Sequence, residues 1–365
     1  MTLLEFLRNP PRILSGFLLG ISRLFCAGVR LRHVLYDRGY LQVHRVPLLV
    51  VSVGNIACGG TGKTPLVQLL AKRLSSYKRV AILTRGYGGR AEKGSDTLVI
   101  RCTKPLSFEE CGDEPCLLAR SLPEVALYVG RDRIAAAKRA REAGEELLIL
   151  DDGMQHRRLH RDFELVVLDG RDPFGGGRFL PRGLLRETPR RLRAADAVFL
   201  NHVSGEKEFE RLREALKPLT GAPLIGMGYR VEQRGRKERV GLFCALGRPE
   251  RFAEGVEERG DEEVGRYFIL DHRPFDLKQL ERFAQRCLAQ GAVKLLCTEK
   301  DFVKLPERLK LSLPVETVSL SGAGGFQSAG NERRLGLADG PGVDVGSDRD
   351  AALLIHDVPI AAVRP

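Results

Sequence analysis

Between Pro47 and about Leu200 the apolar positions fall into short continuous runs separated by amphipathic stretches. Such runs predict strands buried on both faces at Leu48–Val53, Val80–Thr84, Leu98–Ile100, Val125–Val129, Leu147–Leu150, Leu165–Leu168 and Ala197–Leu200. Leu66–Leu74, Glu114–Ser121 and Arg131–Ala143 lie between them and carry the helical period. Strand and helix in alternation predict a mostly parallel sheet with helices on both faces. Around Leu219 to Gln233 the pattern changes to short extended runs, read as a linker. A second, smaller α/β unit is expected from Val240–Leu246, a helix near Pro249–Val256, and strands at Lys294–Cys297 and Val315–Leu320. After Ser321 the chain is rich in Gly, Asp and Ser without sustained periodicity, which reads as a disordered or loosely attached tail. The expected organisation is an N-terminal amphipathic segment (1–45), a core (46–218), a second α/β domain with its linker (219–320) and the tail (321–365).

The N-terminal segment carries Ile13 to Ile21 and Leu24 to Val29, interrupted by Arg23 and flanked by Arg8, Arg12, Arg30 and Arg32. Its first uncharged run is too short to span a bilayer as a helix. An interfacial helix fits better, with its apolar face in lipid and its arginines at the headgroups. A core helix and a signal peptide are the alternatives, and export would strand a nucleotide site where ATP is scarce.

That nucleotide site is the stretch Gly54-Asn55-Ile56-Ala57-Cys58-Gly59-Gly60-Thr61-Gly62-Lys63-Thr64-Pro65, between a predicted strand and a predicted helix. Its ending matches a P-loop: the backbone of Gly59, Gly60, Thr61 and Gly62 cradles phosphates, Lys63 reaches their outer oxygens, and the Thr64 hydroxyl can ligate Mg²⁺. The first glycine of G-x-x-x-x-G-K-[ST] is replaced by Ala57. Leu147 to Leu150 then end in Asp151-Asp152, the place of a Walker B acid able to hold Mg²⁺ opposite Thr64. Gly112-Asp113-Glu114-Pro115 puts two acids at a helix start, where Asp113 is either a general base or an acid in the favourable field of the helix N-terminus. Thr84-Arg85-Gly86-Tyr87-Gly88-Gly89-Arg90 suits either a loop folding over a phosphorylated or sugar ligand or a plain mobile loop, and Gln155 and His156 belong to a donor-rich run that is either an anion site or a solvated basic loop.

A formal charge of +12 favours an acidic partner: nucleic acid, an anionic membrane surface or a phosphorylated substrate. Aromatics at 6%, no Trp, and no zinc-finger or RNP pattern argue against nucleic acid. Eight cysteines without a C-x-x-C pair read as reduced thiols and not as a disulfide frame. Nothing calls for an obligate protein partner.

The ordered series GNIACGGTGKTP, TRGYGGR, GDEP, LDDGMQHRRLHRD, GRFLPRGLLRE and TEKD resembles the tetraacyldisaccharide 4′-kinases, the lipid A 4′-kinases of Gram-negative bacteria. The resemblance implies a P-loop NTPase-like sheet, a second α/β domain and a membrane-associating N-terminal helix. It implies transfer of the ATP γ-phosphate to the 4′-hydroxyl of an acylated glucosamine disaccharide 1-phosphate, with Mg²⁺, at the cytoplasmic face of the bacterial inner membrane. By motif it makes Lys63 and Asp113 catalytic, with His272 as the second-domain partner of Asp113. It adds Glu187 to Thr64, Asp151 and Asp152 as metal ligands, and implies substrate contacts from Arg85, Tyr87, Gln155, His156 and Arg186. Arg182 stands where the family pattern has a small residue. The rival from another class is a membrane-peripheral GTPase or ATPase switch, which a guanine-reading Asn-Lys-x-Asp would support; Thr298-Glu299-Lys300-Asp301 lacks the Asn and the spacer.

Overall fold

In a computed structural model, residues 12–87, 89–90, 97–100, 111–227, 229–230, 237–246, 249–269, 275–306, 309–318 and 321–322 are described. After the helix α1 (Arg12–Asp37) come β1 (Leu49–Gly54), α2 (Lys63–Leu74), β2 (Val80–Thr84), β3 (Leu98–Ile100), α3 (Asp113–Ser121), β4 (Ala126–Val129) and α4 (Arg133–Glu142). The chain continues through β5 (Leu147–Asp151), β6 (Phe163–Asp169), β7 (Ala197–Asn201), α5 (Glu206–Leu216) and β8 (Leu224–Met227). These strands form one sheet in the order β3-β4-β2-β5-β1-β6-β7-β8, parallel except where β3 meets β4.

Alternation along the strands divides the core into two layers. Val51, Val53, Ile82 and Ile149 meet Leu66, Leu70 and Leu74 of α2 and Leu118 of α3. Val50, Ala81, Leu83 and Leu148 turn the other way, onto Ala136, Ala137 and Ala140 of α4. The alanine face lets α4 approach the sheet closely, and Asp132 caps that helix by accepting from the N–H groups of Ile134 and Ala135. The central apolar runs are therefore strands covered on both sides, whereas β3 at the sheet edge leaves Val99 exposed.

The second unit contains β10 (Arg239–Cys244), α6 (Glu250–Glu258), β11 (Glu262–Phe268), α7 (Leu277–Ala289), β12 (Lys294–Thr298), α8 (Glu299–Phe302) and β13 (Val315–Val318). Its four strands run parallel in the order β11-β10-β12-β13. A short antiparallel pair, β9 (Tyr229–Arg230) with β14 (Ser321–Gly322), brings together the two ends of the segment that holds it.

Four features differ from the sequence reading. The stretch read as a linker supplies β8, so the large sheet runs past residue 218. Arg23 does not interrupt α1, which is continuous and, from Leu14 to Asp37, long and apolar enough by length and composition to cross a membrane. β11 and α7 were not expected: β11 is a half-exposed edge strand without an apolar run, whereas α7 buries Leu280, Phe283, Ala284 and Cys287 at helical spacing. Cys111 and Cys116 are joined in a disulfide across the first turn of α3, their Cα atoms 6.5 Å apart; Cys26, Cys58, Cys244, Cys287 and Cys297 are free. Residues from 323 onward, where the tail was expected, lie outside the described residues.

Gly54, the last residue of β1, is a point of close approach. A Cβ there would stand 2.4 Å from Cβ and 2.9 Å from the backbone nitrogen of Met154. Gly54→Ala should destabilise the protein by about 1–3 kcal/mol, the usual cost of overpacking, read as a lower midpoint in urea with an unchanged slope.

Candidate active site

The carboxyl end of the large sheet gathers the polar motifs. The loop from β1 to α2 bends through left-handed glycines at 59 and 62, with φ of 115° and 90°. Ala57 is not at a left-handed position, and it bridges to Leu185, so the missing motif glycine is not needed there. Two buried amides fasten the loop: Asn55 Nδ2 donates to Thr61 Oγ1 at 3.0 Å, and Asn201 Nδ2, from the end of β7, donates to the Thr61 carbonyl at 2.9 Å. Helix α2 then begins with Lys63 and Thr64, and its N-terminal amides have no side-chain cap. Uncapped N–H groups and the positive end of the helix dipole together suit a phosphate.

Asp151 ends β5 in register with Val53 of β1, beside the loop. It is buried, accepts from Thr84 Oγ1 at 3.1 Å, and is pushed up to about 7, first by burial and then by the negative charge of Glu114, with Asp152 adding to it. Asp152 adopts a left-handed φ of 52° and swings to the other side. Arg186 grips it with two guanidinium bonds, to Oδ1 at 2.7 Å and Oδ2 at 2.9 Å, and Lys63 Nζ stands 3.5 Å from Oδ1. Burial opposes its ionisation, but Lys63 and Arg186 outweigh that and hold its carboxyl far below the usual range. The adjacent acids are thus shifted in opposite directions by their surroundings.

Arg186 also donates to Asn55 Oδ1, and the backbone N–H groups of Arg186 and Glu187 both reach the Ile56 carbonyl, at 2.8 and 3.1 Å. Gln155 Nε2 donates to the Asn55 carbonyl at 3.0 Å, while Gln155 Oε1 and His156 Nε2 are buried with no hydrogen-bond partner among the described residues. Orphaned polar atoms beside a phosphate loop are what a bound polar ligand would satisfy. The imidazole of His156 is pushed down to about 4, mainly by burial and then by the positive charges of Arg133, Arg158 and Arg161.

Asp113 opens α3, is buried, and accepts from Glu114 N at 3.0 Å. Lys300 Nζ of the second unit lies 3.4 Å from its Oδ2. Exposed Arg85 and Tyr87 belong to the neighbouring loop: a Cβ on Gly112 would stand 2.6 Å from the Tyr87 carbonyl, so that loop and the Asp113 turn are in direct contact. His272 lies outside the described residues.

Glu187 is a correction. Expected as a metal ligand, it is fully buried on the far side of its segment, where Arg32 NH2 and His33 Nε2 of α1 each approach one of its oxygens at 2.5 Å. Both oxygens are already engaged by α1. Four polar side chains of the site were missed in the sequence: Asn55, Asn201, Lys300 and Arg133. Asn201 ends a parallel strand at the ligand-binding edge, a legible position. Arg133, buried and bonded through NH1 to the Asp152 carbonyl at 3.1 Å, carries no signal beyond its charge.

A strand, glycine loop and helix beside paired acids on the adjacent strand define a P-loop phosphotransferase. Residues 14–327 match the family model for Tetraacyldisaccharide-1-P 4'-kinase, and the chain belongs to that family. It is 38% identical over 329 residues to the Tetraacyldisaccharide 4'-kinase of Chlamydia trachomatis, covering 86% of each chain. It is 39% identical over 308 residues to the enzyme of the same name from Anaeromyxobacter dehalogenans, covering 78% of this chain and 80% of that one. Among solved structures it is similar to LpxK from Aquifex aeolicus in complex with ATP, with a TM-score of 0.68, 28% identity, and coverage of 95% of this chain and 99% of that chain.

The depressed histidine has a consequence for acid stability. Between its ordinary value of 6.5 and about 4, His156 binds a proton in the unfolded chain and not in the folded one. Its contribution is intact above that window and is lost as the pH falls through it. His156→Gln should therefore flatten the decline in thermal midpoint between these pH values, measured at fixed ionic strength.

Proposed function

We propose that this chain is an ATP-dependent kinase that phosphorylates the 4′-hydroxyl of a tetraacylated glucosamine disaccharide 1-phosphate, a step of lipid A biosynthesis. The observation that carries this reading is the meeting of Lys63 with the paired acids Asp151 and Asp152 at the carboxyl end of the sheet, in a chain that matches this kinase family over residues 14–327.

Phosphoryl transfer depends on positioning and charge neutralisation more than on covalent chemistry. The loop amides and Lys63 would hold the outer phosphates. Asp113 would take the proton of the attacking hydroxyl, with Lys300 Nζ close to its Oδ2. Arg85 and Tyr87, on the adjoining loop, together with Gln155, His156 and Arg186, would contact substrate. Mg²⁺ fits the donor set: the Thr64 hydroxyl and the buried Asp151 carboxyl are hard oxygens, and the acidic crowding at Asp151 is what a cation relieves. Among the described residues no cluster of three or more His, Cys, Asp or Glu could hold a metal, and Mg²⁺ characteristically takes one or two carboxylates with waters and phosphates. Thr64 and Asp151 would hold it, since Asp152 is committed to Arg186; when bound it neutralises phosphate charge.

The guanine-switch alternative loses its anchor. Asp301 is fully buried, where it accepts from Ala245 N at 3.1 Å, Thr298 Oγ1 at 2.7 Å and Lys304 Nζ at 3.1 Å, and is committed to its own unit.

The membrane reading rests on α1. It docks through Ser22, Val29 and His33 while Phe17 and Leu24 stand 68% and 74% exposed, so one apolar face is left for a lipid surface as the helix lies along the protein. This supports monotopic attachment to a lipid surface, and the kinase reading, which needs ATP, would put that surface at the cytoplasmic face of the inner membrane.

Transfer of labelled γ-phosphate from ATP to the disaccharide 1-phosphate lipid in detergent tests the activity. Lys63→Ala should abolish it with unchanged thermal unfolding. Asp113→Asn should lower kcat by roughly 10²–10⁴-fold with little change in ATP affinity, whereas wild-type kcat would return Asp113 to a helix-end acid. Deleting residues 2–30 should shift the protein from vesicles to the soluble fraction, and continued sedimentation would place the anchor elsewhere.

A further inference from the structure

We infer that Arg32 and His33 of the N-terminal helix are positioning residues for phosphoryl transfer, acting through Glu187 on Arg186; this rests on the kinase reading above. Arg186 and Glu187 are consecutive, and their backbone N–H groups share the Ile56 carbonyl at the root of the phosphate loop. Their side chains diverge. Arg186 enters the site and holds Asp152 and Asn55, while Glu187 turns outward and is closed over by α1.

A carboxylate that is 0% exposed needs compensating charge or donors, and both come from one turn of α1. Arg157 fixes the histidine's part in this. A guanidinium only donates, so the Arg157 NH1 contact at 3.0 Å makes His33 Nδ1 the acceptor and leaves Nε2–H to donate to Glu187. Arg157 in turn is held by Asp37 at 2.7 Å and lies over the Tyr36 ring at 5.0 Å. Further along, Ser22 Oγ donates to the Phe179 carbonyl at 2.7 Å, and Arg182 Nε donates to Ser15 Oγ at 3.1 Å. The helix is thus bonded along much of its length to the segment that ends in Arg186.

Removing the donors on α1 leaves a buried, uncompensated carboxylate. Relief comes when the 186–187 segment shifts to hydrate Glu187, and that shift carries Arg186 off Asp152 and Asn55. A displacement of about 1 Å in such a group can cost on the order of a hundredfold in rate. The helix therefore has two separable duties, an outer apolar face toward lipid and an inner polar face that sets the arginine.

The experiment uses the full chain with disaccharide 1-phosphate lipid in detergent micelles, plus sedimentation with anionic phospholipid vesicles. Arg32→Ala, assayed below its unfolding transition, should lower kcat roughly tenfold to a hundredfold with vesicle binding unchanged, and Arg32→Lys should restore most of the loss. Phe17→Ser with Leu24→Ser should do the reverse, weakening vesicle binding while kcat in detergent stays at the wild-type value. In a Glu187→Gln background, which removes the buried charge, Arg32→Ala should add little further loss. If Arg32→Ala does not fold, Arg32→Gln carries the same comparison. Wild-type kcat for these Arg32 variants, or fully multiplicative losses with Glu187→Gln, overturns the inference. So does a raised Mg²⁺ requirement in Glu187→Gln that Arg32→Ala does not share, which would return Glu187 to the metal. An inactive wild-type chain in this assay would instead overturn the kinase reading.

Discussion

The ionised Asp152 is the charge around which the site is assembled. A carboxylate partly withdrawn from water persists only when cations surround it, and here Lys63 of the phosphate loop and Arg186 of a distant segment converge on it. That convergence joins β1, β5 and the 174–187 segment, three parts of the chain with no sequence proximity. It also fixes the lysine and arginine before any phosphate arrives, so the positive field at the helix start is built in advance. The left-handed backbone at Asp152 is the local cost of aiming its side chain away from Asp151.

From this point the electrostatics spread outward in pairs. Arg186 belongs to the site and its neighbour Glu187 to the helix; Asp151 faces Thr84 while Asp152 faces the cations. Consecutive residues repeatedly serve opposite sides of the segment that carries them. In each of these ion pairs one partner keeps partial access to solvent, which screens the attraction. Such pairs give geometry more than net stability, since well-packed apolar residues could often replace them without loss.

Most of the large sheet was legible because a parallel strand covered on both faces has to be a continuous apolar run, as at Leu147–Asp151 and Phe163–Asp169. The same logic explains the misses. β8 is a four-residue strand after a proline, indistinguishable from a linker, and β11 is an edge strand that keeps only a half-buried face. Of the candidate residues, Lys63, Thr64, Asp151 and Asp152 could be named because a glycine loop and a strand end fix spacing along the chain, and Asp113 because it stands at a helix start. The fate of Glu187 was not readable: its partners lie 154 and 155 positions away on α1, and no local pattern encodes that distance. The Cys111–Cys116 link was hidden for a similar reason, because its spacing matches no short cysteine motif.

Thr298-Glu299-Lys300-Asp301 holds one more such division of labour. Asp301 anchors the interior of the second unit through Ala245, Thr298 and Lys304, while Lys300 beside it reaches out to Asp113. The lysine's reach is therefore calibrated by the integrity of its own unit's core. At this short helix the interior of one unit and the surroundings of Asp113 share one lever, so a lesion inside the second unit would be felt at a carboxylate of the first.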